Sequence, residues 1–518
     1  MQANVNVMER LGIGGNVWLS RFFVLALAIV IAWLVVALPV SMAVLLFFGV
    51  ILLMLAPRKP RWALYLLPFA VPFGSIYEIQ VGPAMVGGTE ALLGFFLVGW
   101  FGRKLVYHDE VLELPRPPLW DLMLAWYTVM LLSVIFTSSL ADSLKELVKW
   151  AEVFALYAIA VHELKYRDAA IIVGVMLIAG TLEAIDGIYQ SWYLIGPDAF
   201  RFPMGGQQWL RAYGRFVQPN PYAGYLGLVL PLAYSLLIVM GKMPHLATYE
   251  PVTTSLPASI STLLDELGVS QDRFLSWLKI SSGLMAVALF LSLSRGGWIG
   301  AFAAVAAVTL LLDKNRAFFR LLLIGGMVGG VMAMGRLPFL PIELGNRLND
   351  IIAYINVINL DVASMTLTPG NFSIIERLSH WEAALAMWAD SPWLGQGLGN
   401  YAAVYSEFYI PPWEDPLGHA HNYFLNVLAE TGVLGLIVYL MFWASALQLI
   451  LKAIKVNTGL WRGLAIGIFA TMIHLHVHNV FDNLYVHGMY LQVALLLAIA
   501  AKLCEVEKVQ EKIDQWKK

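Results

Sequence analysis

Two kinds of side chain in this sequence suit chemistry on an anionic leaving group: arginines set beside apolar runs, and histidines at the start of a helix. The arginines are Arg211 and Arg215, in Arg211-Ala-Tyr-Gly-Arg215-Phe-Val-Gln-Pro-Asn220, and Arg295, in Ser294-Arg295-Gly296-Gly297. The histidines are His419 and His421, in His419-Ala-His421-Asn422, which opens a helix carrying Glu430 about two turns inside. A guanidinium stays charged at every working pH and binds phosphate oxygens through paired hydrogen bonds, so arginines fixed at a lipid surface fit a pyrophosphate headgroup. A histidine titrates near neutrality and can take a proton from a hydroxyl nucleophile. Together they make a transfer site, with cations holding a leaving group and a base activating an acceptor.

Each of these residues also has a plainer use. Arg295 could be an interfacial anchor whose stem lies along apolar surface. His419 and His421 could cap the following helix or stand in water; His421 adjoins the helix start and is the better base. Glu430, Asp186 and Gln190 fall inside apolar spans, where a polar group is either a hydrogen-bond partner or a proton-handling group. In His474-Leu-His476-Val-His478, with Asp482 and His487 just beyond, helical spacing puts His474 and His478 on one face and turns His476 away. That is a polar lining rather than a metal-ligand pattern. Gly395-Gln-Gly397-Leu-Gly399 follows Pro392 and lacks the strand-loop-helix setting of a nucleotide loop, so it reads as a helix stop and turn.

The elements that must position these groups are membrane helices. Hydrophobic residues make up 59% and charged residues 13% of 518, with mean hydropathy +0.71, which excludes the soluble class. A net charge of −2 gives no basic face for nucleic acid, and the lone Cys504 allows no intrachain disulfide. Ser281 to Leu312 is apolar apart from Ser294-Arg295-Gly296-Gly297; one helix of that length would run roughly 48 Å against a bilayer core of about 30 Å, so it divides into two helices at that turn. Apolar runs of spanning length fall near 20–37, 39–56, 62–78, 89–106, 119–137, 147–163, 168–194, 222–240, 280–294, 297–312, 317–334, 424–451, 460–478 and 484–502, about fourteen in all. With both termini cytoplasmic, the outer face holds only Lys145, Lys149, Arg201, Arg211, Arg215, Arg295, Arg336, Arg347 and Arg377 of the 33 basic residues. Two long loops, 195–221 and 335–421, lie on that outer face. Within the second, residues 374–388 mix apolar and charged positions in the manner of an amphipathic helix near the membrane surface.

With these residues in place, the chain resembles the O-antigen ligase and Wzy-type polymerase superfamily of bacterial envelope glycosyltransferases. The resemblance rests on Ser294-Arg295-Gly296-Gly297, on Arg377-Leu-Ser-His-Trp-Glu382 leading to Asp390-Ser-Pro-Trp-Leu-Gly-Gln-Gly-Leu-Gly-Asn-Tyr401, on His419-Ala-His-Asn-Tyr-Phe-Leu425 and on Glu430-Thr-Gly-Val-Leu-Gly435, with Arg211 to Asn220 and Ala223 upstream. It implies an all-α polytopic fold of the lipid-dependent, GT-C-like glycosyltransferase type. N-terminal helices would occupy 1–200, the ligase/polymerase-like core 201–502 and a cytoplasmic tail 503–518. It implies an inverting enzyme of the bacterial inner membrane with a periplasmic active site. A glycan on undecaprenyl pyrophosphate would pass to an acceptor glycan or lipid, with no nucleotide sugar, cofactor or metal, and a chain-length regulator protein is a candidate partner. Carried onto this chain, Arg211 and Arg295 would hold the pyrophosphate, with Arg215 able to replace Arg211, and His421 would be the base. Arg377, His419, Asn422 and Glu430 would contact substrate. Polymerase, ligase and protein O-glycosyltransferase share these motifs; a transporter lined by Glu183, Asp186, Glu430 and His474 to His487 is the rival of another class.

Overall fold

A computed structural model describes residues 59–74, 79–81, 84–107, 116–204, 206–242, 268–312 and 372–505. The spans expected at 20–37, 39–56 and 317–334, and residues 335–371 of the second outer loop, lie outside the described residues.

The chain forms two compact units, Met1–Leu66 with Glu90–Pro115, and Leu67–Thr89 with Arg116–Lys518. In chain order the elements are α1 (Arg61–Phe73), β1 (Ile79–Val81), β2 (Ala84–Val86), α2 (Gly88–Tyr107), α3 (Trp120–Ser133), α4 (Leu140–Glu163) and α5 (Tyr166–Tyr193). A hairpin of β3 (Arg201–Met204) and β4 (Gln207–Leu210) precedes α6 (Pro219–Lys242), α7 (Gln271–Leu291) and α8 (Arg295–Leu312). The remaining helices are α9 (Phe372–Asp390), α10 (Tyr401–Val404), α11 (Tyr423–Val456), α12 (Gly459–His478) and α13 (Met489–Leu503). Among the described residues, six helices are long and apolar enough to cross a membrane: α5, α6, α7, α8, α11 and α12. Helix α1 contains Pro68 and Pro72 and runs to Phe73; residues 75–78 of the span expected at 62–78 lie outside the described residues. The fold is mostly helical rather than all helical. Among the described residues, two short antiparallel hairpins pair Ile79 with Val86 and Arg201 with Leu210, and Gly206 at φ 78° turns the second.

The long apolar run 281–312 divides where chain length and bilayer thickness require. Helix α7 stops at Leu291, Leu293 adopts a left-handed φ of 52°, and α8 starts at Arg295. The Ser294 hydroxyl accepts the Gly297 amide at 3.4 Å and caps the new helix. The glycines of the turn let α8 approach its neighbours: a Cβ on Gly297 would stand 2.7 Å from that of Ala223 on α6, and one on Gly300 would stand 2.8 Å from the His474 ring on α12.

Helix α11 is interrupted at Gly432, whose φ of 65° and ψ of −169° leave carbonyls before it and amides after it without helical partners. The segment 392–397 fills the break. Gln396 and Gly397 donate their amides to the carbonyls of Ala429 and Glu430 at 2.9 and 3.1 Å, and Val433 donates to the Pro392 carbonyl at 2.9 Å. Gly395 must be glycine, because a Cβ there would come within 2.5 Å of the Thr431 nitrogen. Asn400 extends the connection to α4: its side-chain oxygen accepts the amides of Ser138 and Ser139 at 3.0 and 2.6 Å.

Candidate active site

The site is assembled at one end of the helices of the larger unit, where the α7–α8 turn, the start of α9, the start of α11 and the α12–α13 connection meet. Helix α9 is seated by two clusters: Ile374, Ile375 and Leu378 pack with Trp413, and Ala383, Ala384 and Met387 pack with Tyr401, Tyr405 and Ala420. Its first two turns then offer Ser373 and Arg377 to the site. The Ser373 hydroxyl accepts Arg295 Nη2 at 2.5 Å, while its carbonyl accepts Arg377 Nη1 at 2.9 Å. Arg377 Nε reaches the Phe481 carbonyl at 3.4 Å. Two of the sequence's candidate cations, Arg295 and Arg377, are thus joined through one serine.

Beside Phe481 stands Asp482, buried, whose Oδ1 lies 3.5 Å from His419 Nε2 and 3.9 Å from His421 Nδ1. The connection carrying it is fixed on several sides. Tyr423 donates its amide to the Asn479 carbonyl at 2.8 Å, Leu484 donates to Asn479 Oδ1 at 2.9 Å, and Lys149 of α4, paired with Glu146 at 2.6 Å, reaches the Tyr485 carbonyl at 3.5 Å.

His421 has a φ of 51°, in the left-handed region that a non-glycine residue enters at a cost of roughly 1–2 kcal/mol. The strain is held by neighbours: its amide donates to His419 Nδ1 at 3.0 Å, and its carbonyl accepts Trp381 Nε1 at 3.4 Å. Both ring nitrogens of His421 are buried and have no hydrogen-bond partner among the described residues. Burial, with the charges of His419, Arg377 and His380 around it, drives its pKa far below the ordinary histidine value, so the ring is a neutral imidazole. Burial also lowers His419, against the opposing pull of Asp482. His380, stacked on Tyr405 with ring centres 4.9 Å apart and bonded through Nδ1 to the Tyr401 hydroxyl at 2.9 Å, is pushed down to about 4, chiefly by burial.

The ligand atoms of His419, His421 and Asp482 lie within 4.8 Å of one another, a donor set of the metal-binding type. The tautomer argues for a different use. Because His419 Nδ1 accepts the His421 amide, a neutral His419 carries its proton on Nε2, directed at Asp482 rather than free to bind a cation.

The other candidates sit at varied distances from this centre. Arg211 is adjacent to the Arg295 turn: Nε donates to the Ser292 carbonyl at 2.9 Å and Nη2 to Asn220 at 3.2 Å. Arg215 turns away and pairs with Asp186 at 3.0 Å. Asn422 caps α11, its oxygen accepting the amides of Phe424 and Leu425 at 3.0 and 3.2 Å. Glu430 accepts the Tyr401 amide at 3.2 Å and belongs to the filled break. His474 is packed against glycine notches in α6 and α8, away from Asp482. Sequence reasoning did not name Ser373, gave Lys149 only a place on the outer face, and gave Asp482 only a place in the polar lining with His474 to His487. The available signal for Asp482 was its place with Asn479 and Asn483 in the short connection between two apolar runs on the outer face.

Residues 280–440 match the Wzy_C family, described as O-antigen ligase. No curated protein matches the chain. A chain from a solved structure described as "Structural coordination of polymerization and crosslinking by a peptidoglycan synthase complex" is similar over 75% of this chain and 97% of its own, at 14% identity and a TM-score of 0.37. The matched span holds Arg295, Arg377, His419, His421 and Glu430, while Arg211, Lys149 and Asp482 lie outside it. Residues 280–440 thus carry an O-antigen ligase (Wzy_C) domain match, within a chain whose described residues include six helices long and apolar enough to cross a membrane.

Proposed function

We propose that this protein transfers a glycan from undecaprenyl pyrophosphate to an acceptor hydroxyl at the outer face of the bacterial inner membrane, as a polymerase or ligase of surface polysaccharide. The observation that carries the reading is His421: a neutral imidazole with two unpartnered nitrogens, held in a strained conformation beside Asp482 and within reach of the field of Arg377. Unpartnered buried nitrogens are costly unless a substrate satisfies them.

In the proposed reaction His421 takes the proton of the acceptor hydroxyl, and the oxygen attacks the anomeric carbon from the face opposite the donor. The bond from that carbon to the pyrophosphate oxygen breaks, and the electron pair leaves on undecaprenyl pyrophosphate. Attack from the opposite face inverts the anomeric configuration. Arg295 and Arg211, on either side of the Ser292–Ser294 turn, stabilise the charge growing on the leaving group, in general the largest electrostatic contribution to such a step. Arg377 and Lys149 border the same region and add to its positive field. Asp482 orients His421 and stabilises the imidazolium, with His419 keeping the carboxylate in place. In this scheme every step is assigned to side chains of this chain.

The test uses purified protein and a polyprenyl-pyrophosphate-linked glycan from the host, with products resolved by size. A ladder indicates polymerisation and one acceptor-linked product indicates ligation; both should vanish in Arg295→Ala. His421→Ala should lose at least about 100-fold in kcat while still binding the lipid donor. Turnover at the wild-type rate in His421→Ala would remove the base from this scheme, and solute flux across proteoliposomes with no glycan product would favour a transporter.

A further inference from the structure

The polar residues of α5 are unexplained by the reaction itself. Glu183, Asp186 and Gln190 follow one another at spacings of three and four residues, so they share one helix face. All three meet the same short turn, Tyr213-Gly214-Arg215. Glu183 is fully buried; its Oε1 accepts the Arg215 amide at 2.6 Å, and its Oε2 is buried with no partner among the described residues. Asp186 takes the Arg215 guanidinium at 3.0 Å. Gln190 holds Gly214 from both sides, its amide nitrogen donating to the Gly214 carbonyl at 3.1 Å and its oxygen accepting the Gly214 amide at 2.9 Å. The turn also requires its glycine: Gly214 has a φ of 54°, and a Cβ there would strike Glu183 Oε1.

From that turn the chain leads directly to the candidate leaving-group site. Two residues upstream of Gly214, the Ala212 amide donates to the Leu291 carbonyl at 3.0 Å, and Arg211 Nε donates to the Ser292 carbonyl at 2.9 Å. These carbonyls belong to the end of α7 and the turn that presents Arg295. A carboxylate inside a membrane protein is costly, and this one is placed where it satisfies a loop amide.

We infer that Glu183, with Asp186 and Gln190, is a positioning residue: the polar face of α5 clamps the Tyr213–Arg215 turn so that Arg211 stands beside Arg295. This rests on the transferase reading for its kinetic consequence. It assigns the intramembrane carboxylates of α5 to the leaving-group site and gives Arg215 a structural partner rather than a substrate.

The test is a double-mutant cycle in the full-length protein with the lipid-linked glycan donor. Glu183→Ala should raise KM for the donor by about tenfold, close to the effect of Arg211→Ala, and should change KM by less than about twofold when Arg211→Ala is already present. Glu183→Gln should restore most of the donor affinity, because the amide oxygen can still accept the Arg215 amide. Equal effects of Glu183→Ala in both backgrounds overturn the inference, as does a loss in Glu183→Gln equal to that in Glu183→Ala. Hydrogen exchange gives a second readout without turnover. The amides of Gly214 and Arg215 should exchange faster in Glu183→Ala than in wild type, and unchanged exchange there also overturns the clamp. Should Glu183→Ala fail to fold, Gln190→Ala replaces it in both measurements. A wild-type protein with no turnover on any donor counts against the transferase reading, while the exchange result still decides the clamp.

Discussion

At the scale of the residue, His421 owes its properties to what surrounds it rather than to histidine as such. An ordinary histidine titrates near 6.5; here burial and the nearby positive groups push the pKa down, so the protonated form gains little population until the pH is well below that value. A base must be neutral to act. kcat/KM, which reports the free enzyme, should therefore stay level as pH falls from about 7.5 to about 5.5. An acidic limb centred near 6.5 would mean that His421 is not the base or is not buried in the working enzyme. His380 sets a separate condition on the experiment. Its pKa is lowered to about 4, so its contribution to stability is present above about 6.5 and is lost as pH falls towards about 4. Folded protein should accordingly be quantified at each pH.

At the scale of the element, the break in α11 ties the histidines to the rest of the outer surface. The segment 392–397 supplies the missing partners of the broken turn, Asn400 accepts the amides of Ser138 and Ser139 just before α4, and Tyr401 reaches His380. One insertion thus connects α4, α9 and α11. Gly432 is its pivot: its φ is positive, and a Cβ would collide with the backbone of Trp393. Gly432→Ala should cost at least about 1–3 kcal/mol from backbone strain and should lower Tm and activity together. Thermal unfolding of the variant in detergent checks this; unchanged Tm would show that the break can close into a regular helix. The glycine notches facing His474 have a related use, since they let α8 and α6 approach α12 closely enough to bring the Arg295 turn beside Phe481.

At the scale of the whole molecule, the helix ends of the larger unit separate into two sets. One set carries the α7–α8 turn, the segment 392–422 and the α12–α13 connection. The other is joined by Asn457, which donates to the Leu503 carbonyl at 2.8 Å, and by Tyr166, which donates to the Lys502 carbonyl at 3.3 Å. Lys165, Lys455, Arg462 and Lys502 fall in the second set, the bias expected of a cytoplasmic end. In a Cys504→Ser background, cysteines placed at the exposed positions Trp393 and Gln207 should be labelled by a membrane-impermeant reagent in intact cells, whereas one at Lys165 should be labelled only after permeabilisation. The reverse pattern would invert the topology and put the candidate site on the cytoplasmic side.

The sequence by itself determined the membrane class, the division of residues 281–312 at Ser294-Arg295, and the candidate status of Arg211, Arg295, Arg377, His419 and His421. Each follows from local facts: apolar length against bilayer thickness, a guanidinium at a helix end, an imidazole at a helix start. The helix Phe372–Asp390 was legible over 374–388 for the same reason, through its periodicity. Only the tertiary structure shows which neighbours the polar groups have. Arg215 goes to Asp186, Asn422 to the cap of α11 and Glu430 to the loop that fills the break, and in sequence each looks as available as Arg295. It also decided that Asp482, more than sixty residues beyond His419 and His421, faces both of them. Spacing along a chain reports the face of one helix or strand. Which atoms of distant elements meet depends on how helices pack, and here small residues in α6 and α8 and a break in α11 set that packing.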